Sequence, residues 1–166
     1  MKYKYAIGLF FAAFILQTTL MNAFSVFGAT PNLLLCLVVV FSFLYDENNY
    51  GVVLGVAFGL LYDICFLQYT GITALSFFVI SLAIMLVNVV MNKEAVFSVI
   101  MITVAATVIH ASIHGGIMVM MGSNYSFLYM IDYVPMYILY NTVIVIILYY
   151  LMIRKVIRHH QDRYYK

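Results

Sequence analysis

Charge is what this sequence has least of. Lys, Arg, Asp and Glu make up 8% of its 166 residues, whereas apolar residues make up 66%. A soluble domain carries roughly 25% charged residues, and a soluble fold of this size leaves much of its surface in water. The composition therefore excludes an ordinary soluble domain and predicts a protein embedded in the lipid bilayer.

Other absences narrow the function classes. The net charge is only +2 and the basic residues are confined to the ends and one loop, which argues against nucleic acid binding. Cys36 and Cys65 lie inside apolar runs without a CxxC spacing, so we interpret them as packing residues. The sequence contains no GxSxG, P-loop or glycine-rich dinucleotide motif. We therefore expect neither an enzyme nor a cofactor.

Tryptophan is absent and proline is scarce. Without Trp, we expect the 15 Tyr residues to supply the aromatic anchors at the membrane interfaces. The two prolines, Pro31 and Pro135, are each predicted in the first turn of a helix, where a missing N–H is tolerated.

Six continuous apolar runs predict an all-α bundle of six transmembrane helices in one domain. Their predicted bounds are 5–21, 31–45, 51–67, 72–91, 95–121 and 133–153, followed by a basic tail at 154–166. Most approach the roughly 20 residues that cross a bilayer, and none alternates as a β-barrel strand does. The first run also resembles a signal peptide, although it is longer than the usual apolar core of one. The second and third runs are short, so they either lie buried in the bundle or cross a thin region.

The basic residues predict an orientation. All eight Lys and Arg residues fall on one side if the chain crosses the membrane six times, whereas an odd number of crossings would divide them. Basic residues accumulate on the cytoplasmic side, so both termini are predicted to be cytoplasmic. In the tail, Arg154, Lys155 and Arg158 either only signal this topology or also contact anionic lipid headgroups.

The third run contains a stripe of glycines. Gly51, Gly55 and Gly59 are spaced by four, which puts them on one face of a helix. Glycines there let another backbone approach closely, and such packing drives helix association in lipid. We assign helix packing or partner contact to these glycines and to Pro31; the neighbour is either another helix of this chain or a partner protein.

Asp63 continues the glycine stripe one turn further, towards the outer end of its span. A carboxylate inside a span costs about 2.5–3.5 kcal/mol, so it usually faces protein or water. We expect it to reach the interface, or to cap or pair inside the bundle; a ligand or proton role and direct partner contact are the alternatives. Two amides, Asn88 and Asn141, are predicted to lie elsewhere, as interhelical hydrogen-bond donors.

Other polar side chains are predicted at the depth of Asp63. They are Gln17, Asn32, His110 and His114. Depth alone allows Gln17, Asp63 and the two histidines to form a polar cluster in the outer half of the bundle. His110 and His114 share one helical face, a spacing compatible with two metal ligands. Because no third ligand is evident, we predict a hydrogen-bonded pair and no metal.

One stretch of the chain resembles a known family. It comprises Leu16-Gln17-Thr18-Thr19, Pro31-Asn32-Leu33-Leu34-Leu35, the glycine stripe with Leu60-Leu61-Tyr62-Asp63, and then Gly71 and Ala74-Leu75. This order is similar to that of the rod shape-determining protein MreD family, over roughly residues 16 to 75. Asn32 stands where the family more often has Asp.

The resemblance implies a fold and a function. The implied fold is similar to that of the substrate-binding subunits of energy-coupling-factor vitamin transporters. The implied function is that of a non-enzymatic scaffold in the bacterial inner membrane, within the cell-elongation complex that synthesises peptidoglycan. The implied partner is MreC, which connects the protein to MreB, RodA and the transpeptidase of RodA.

The alternative function is that of a substrate-binding subunit of such a vitamin transporter. A ligand-binding subunit should have a roomy outer pocket with convergent polar groups and aromatic rings. A scaffold should have that region collapsed, with its polar side chains bonded to one another.

Overall fold

The computed structural model describes residues 3–19, 30–45, 49–93, 95–122 and 127–164, the last stretch by its backbone alone at 127–132 and 154–164. Within these residues it contains six helices and no strand. They are α1 (Tyr3–Thr19), α2 (Leu33–Leu44), α3 (Tyr50–Phe66), α4 (Ile72–Val87), α5 (Val96–Met120) and α6 (Phe127–Tyr164). The prediction of an all-α fold is confirmed.

Helix α2 lies at the centre of the bundle although it has only 12 residues. It contacts each of the other five helices, and every residue from Leu34 to Leu44 is buried. At 1.5 Å per residue its length is about 18 Å, well short of the roughly 30 Å hydrocarbon core of a bilayer. The second apolar run is therefore short because protein, and not lipid, surrounds it.

The outer helices turn large apolar side chains away from the bundle. Phe11 of α1 is 54% exposed, Phe97 of α5 is 71% exposed and Leu151 of α6 is 64% exposed. Lipid tails solvate such side chains as well as a protein core does. Helix α5 and the Tyr133–Ile153 part of α6 are long and apolar enough to cross a membrane, whereas α2, α3 and α4 are shorter apolar helices.

The glycine stripe packs against helices of the same chain. A Cβ atom added at Gly51 would lie 2.7 Å from the backbone nitrogen of Ser42 in α2. One added at Gly55 would lie 2.8 Å from an α2 side chain, and one at Gly59 would lie 3.0 Å from the Cα of Ala74 in α4. The glycines therefore let α3 approach α2 and α4 more closely than side chains would allow.

Neither proline lies in the first turn of its helix, so both placements were wrong. Asn32 is the N-cap of α2, because its side chain accepts a hydrogen bond of 3.0 Å from the Leu35 N–H, and Pro31 therefore precedes the helix. Pro135 lies inside α6, because that helix begins at Phe127.

The predicted basic tail is helical over most of its length. The backbone of α6 stays helical through Tyr164, so most of the predicted tail continues the last helix. The side chains of Arg154, Lys155 and Arg158 lie outside the described part, and contact with lipid headgroups stays a prediction.

The opposite end of α2 is tied to α4. The side-chain amide of Asn88 donates to the carbonyl oxygens of Ser42 and Phe43, at 3.0 and 3.2 Å. These bonds confirm Asn88 as an interhelical donor. They also satisfy carbonyl groups at the C-terminus of α2, which have no partner inside their own helix.

Candidate functional site

A cavity of about 230 Å³ opens at one end of the bundle. Its wall combines the C-terminal halves of α1, α3 and α5 with the N-terminal halves of α2, α4 and α6. Four predicted polar residues line it, namely Gln17, Asn32, His110 and His114. The described residues on its wall include no Lys, Arg, Asp or Glu.

Gln17 ties α1 to the start of α2. Its side-chain oxygen accepts a hydrogen bond of 2.7 Å from the Leu33 N–H, and its amide nitrogen donates to the Pro31 carbonyl at 3.1 Å. The first N–H groups of a helix have no partner within it. Because α2 begins inside the bundle, where water is scarce, a side chain from a neighbouring helix supplies that partner.

Asn141 of α6 also accepts a hydrogen bond from the start of α2. Its side-chain oxygen accepts from the Asn32 N–H at 3.0 Å, and its amide nitrogen donates to the Thr107 hydroxyl at 3.2 Å. These bonds confirm Asn141 as an interhelical donor, but its predicted location away from the polar cluster was wrong. The reason is the central position of α2, whose N-terminus lies deep enough to meet the side chains of α5 and α6.

His110 joins α5 to α2 and α4. The Ser76 hydroxyl donates to backbone carbonyls of α4, at 3.0 Å to Ile72 and 2.9 Å to Thr73, so its oxygen accepts from Nδ1–H of His110 at 3.0 Å. That tautomer leaves Nε2 as an acceptor, and the side-chain amide of Asn32 lies 3.5 Å from it. Both ring nitrogens of His110 therefore face hydrogen-bonding groups of this chain.

Asp63 caps the N-terminus of α4. Its Oδ2 accepts from the N–H groups of Gly71 and Thr73, both at 2.9 Å, and of Ala74 at 3.3 Å. The side chain is fully buried, and its negative charge complements the positive end of the helix dipole. Gly71 has a φ of +102°, a conformation that a residue with a side chain adopts only with strain.

The structure therefore separates Asp63 from the cavity wall but keeps the two close. Asp63 accepts a hydrogen bond from the N–H of Thr73, and both Thr73 and Tyr62, the residue before Asp63, line the cavity. The rings of His110 and His114 lie 6.2 Å apart between centroids. Among the described residues, no group of three His, Cys, Asp or Glu side chains could hold a metal ion.

Several wall residues were not predicted from the sequence. They are Thr30, Tyr62, Thr73, Phe77, Thr107, Tyr133, Tyr137 and Asn141. A signal existed for Thr107, since it lies three residues before His110 and seven before His114, on the helical face that those two predicted residues share. For the others, the sequence carries no sign of which face meets the cavity.

A comparison with protein families covers almost the whole chain. The family model of rod shape-determining protein MreD matches residues 1–159. The chain belongs to the MreD family. Neither a search of curated proteins nor a search of solved structures found a match. MreD membership and the apolar helices together make the chain a membrane protein with a role in determining rod shape.

Asn141→Leu should lower the free energy of unfolding by about 2 kcal/mol. It leaves the partly buried Asn32 N–H without its acceptor, and an unsatisfied buried donor costs about 1–3 kcal/mol. Thr142→Val is the matched control, because the buried Thr142 hydroxyl has no hydrogen-bond partner. Chemical unfolding in detergent measures both variants, and equal losses would contradict the role given to Asn141.

Proposed function

We propose that this MreD-family chain is a non-enzymatic scaffold of the bacterial cell-elongation complex. It binds MreC, and through MreC it connects with MreB, RodA and the transpeptidase of RodA in peptidoglycan synthesis. The match to the MreD family over residues 1–159 is the observation that carries the proposal.

The packing of α1 supports contacts made within the membrane. Only Ala6, Phe10 and Ala13 of this helix are buried, and they form one narrow stripe. The rest of α1 is exposed or partly exposed, as are the outer faces of α5 and α6. A single-span partner such as MreC brings one transmembrane helix, and close side-chain packing on such faces drives helix association in lipid.

The polar network supports the same function. The side chains of Gln17, Asn141 and Asp63 satisfy the helix N-termini of α2 and α4. Their hydrogen bonds stabilise the bundle and hold its outer faces in place, which is what a scaffold requires. The hydrogen bonds expected of a scaffold are present, but the region is not collapsed as expected, because a cavity of about 230 Å³ remains within it.

Affinity purification in a mild detergent tests the proposal. The tagged chain, expressed at native level, should recover MreC as a single-span protein with a periplasmic domain. An equally abundant six-span membrane protein with the same tag serves as the control. Absence of MreC from the eluate of cells that contain it, or recovery of an ATPase module in its place, would contradict the proposal.

We propose further that the chain crosses the bacterial inner membrane six times, with both termini in the cytoplasm. The segregation of its eight Lys and Arg residues supports this topology. Alkaline phosphatase fused after Tyr69, beyond α3, should be active because it reaches the periplasm. Alkaline phosphatase fused after Lys93 or Lys166 should be inactive, whereas a fluorescent protein that folds only in the cytoplasm should be fluorescent at the same two positions. An active phosphatase after Lys166 would refute an even number of spans.

A further inference from the structure

The cavity is the right size for one substituted ring. Its volume is about 230 Å³, well above the roughly 10–15 Å³ that a single water molecule requires. Sites for drug-sized ligands are larger, at about 300–1,000 Å³. A small polar molecule fits, whereas a peptide helix or a lipid chain does not.

The wall has hydrogen-bond donors that the fold leaves unused. The amide groups of Gln17, Asn32 and Asn141 each have two N–H donors, and each gives one of them to a group of this chain. Among the residues that the structure describes, one N–H of each of these three amides therefore has no acceptor, and all three amides line the same cavity. Their oxygens are held by backbone N–H groups, so the amides are fixed in place before any ligand arrives.

The wall favours an uncharged ligand. No Lys, Arg, Asp or Glu is among its described residues, so an ionic ligand would lose its hydration without gaining a counter-ion. The buried carboxylate of Asp63 accepts a hydrogen bond from the N–H of Thr73, a residue of the wall, so a carboxylate lies next to the cavity and disfavours an anion further. Neutral oxygens of a ligand can still accept hydrogen bonds from the unused amide groups.

The distribution of the wall groups favours a sugar. Polar side chains come from α1, α3, α4, α5 and α6 and from Asn32, the N-cap of α2, so they reach the cavity from several sides. Aromatic rings of Phe77, Tyr133 and Tyr137 also line it. A pyranose ring has oxygens around its whole perimeter and apolar C–H groups on its faces, whereas a planar heterocycle has polar groups only at its edges.

We propose that this cavity binds one uncharged sugar ring, with the amides of Gln17, Asn32 and Asn141 donating to its oxygens. The ligand enters at the end of the bundle where α1, α3 and α5 end. This binding is independent of the proposed contact with MreC, because the cavity lies inside the bundle and partner helices pack on its outside.

Saturation-transfer NMR on the full chain tests the proposal. The protein is purified in an amine-oxide detergent, because detergents with sugar headgroups would occupy the site. Glucose and N-acetylglucosamine are the neutral probes, glucosamine and glucuronate are their charged counterparts, and nicotinamide is the planar ring. We expect saturation transfer to at least one neutral sugar, and at least tenfold weaker binding of both charged sugars and of nicotinamide.

Cavity-filling variants locate the binding. Ala111→Phe places a ring in the cavity from α5 without removing a hydrogen-bonding group, and should weaken sugar binding at least tenfold. Ala105→Phe adds the same ring on the exposed face of α5 and should bind normally. Val134→Phe, which fills the cavity from α6, replaces Ala111→Phe if that variant does not fold.

Four results would overturn the proposal. They are no transfer to either neutral sugar, equal binding of a charged sugar, preference for nicotinamide, and unchanged binding in the filled variants. Capture of MreC by the filled variants is measured separately, so failure of sugar binding and failure of the scaffold proposal give different results.

Discussion

Gly51→Ala is expected to lower the free energy of unfolding by about 3 kcal/mol, although it adds a single methyl group. The new Cβ would lie 2.7 Å from the backbone nitrogen of Ser42 and 2.9 Å from its Cα. Backbone atoms of a buried central helix cannot move aside as a flexible side chain can, and overpacking a tight core costs about 1–3 kcal/mol or more. Thermal and chemical unfolding in detergent measure the loss.

Gly8→Ala is the matched control for that experiment. Gly8 lies in α1, and nothing lies within 4 Å of a Cβ atom added there. Replacing a glycine inside a helix with alanine stabilises it by about 0.5–1 kcal/mol when space is available. The two substitutions should therefore have opposite signs. A neutral or stabilising Gly51→Ala would show that α3 does not need its close contact with α2.

Asp63→Ala is expected to lower the free energy of unfolding by about 3 kcal/mol. It removes the acceptor for the buried N–H groups of Thr73 and Ala74 at the start of α4. Each buried donor left without a partner costs about 1–3 kcal/mol, and the bundle offers little water to replace the carboxylate. The variant should also fail to restore rod shape in cells that lack the native protein.

Asp63→Asn separates the hydrogen bonds of Asp63 from its charge. The amide oxygen can still accept from Thr73 and Ala74. The substitution removes the interaction of the charge with the helix dipole, at about 1 kcal/mol, and places an NH2 group where the buried Oδ1 of Asp63 has no hydrogen-bond partner. We expect this variant to fold and to restore rod shape. If it unfolds as readily as Asp63→Ala, the negative charge is what α4 requires, and the capping explanation is incomplete.

The polar half of the bundle shows what a pattern of residues can predict. Gln17, Asn32, His110 and His114 were assigned to one depth from the lengths of the apolar runs, and all four line one cavity. Depth could be predicted because the rise per residue of a helix is constant. Their hydrogen-bond partners could not be predicted. The N–H groups of Leu33 and Asn32 need a side-chain acceptor only because α2 begins inside the bundle, which the sequence does not show.

The central helix is one whose position the sequence pattern did not reveal. The most distinctive pattern, the glycine stripe with Asp63, lies in the third helix, whereas α2 contacts all the other helices and is buried almost throughout. Its sequence, Leu33 to Leu44, is simply apolar. Lipid and protein interior are equally apolar solvents for such a segment, so its composition could not distinguish a helix surrounded by protein from one that faces lipid.

By itself, the sequence determined that lipid surrounds the protein, how many helices it forms and to which family it belongs. Those properties follow from composition, from the length of apolar runs and from the order of local motifs such as Pro31-Asn32 and the glycine stripe, all of which are properties of neighbouring residues. Only the tertiary structure decided which helix is central, which amide groups of α2 and α4 need a partner, and where a cavity remains. Those features depend on which helix ends meet in space, and residues as far apart along the chain as Asn32 and Asn141 meet only after the bundle has formed.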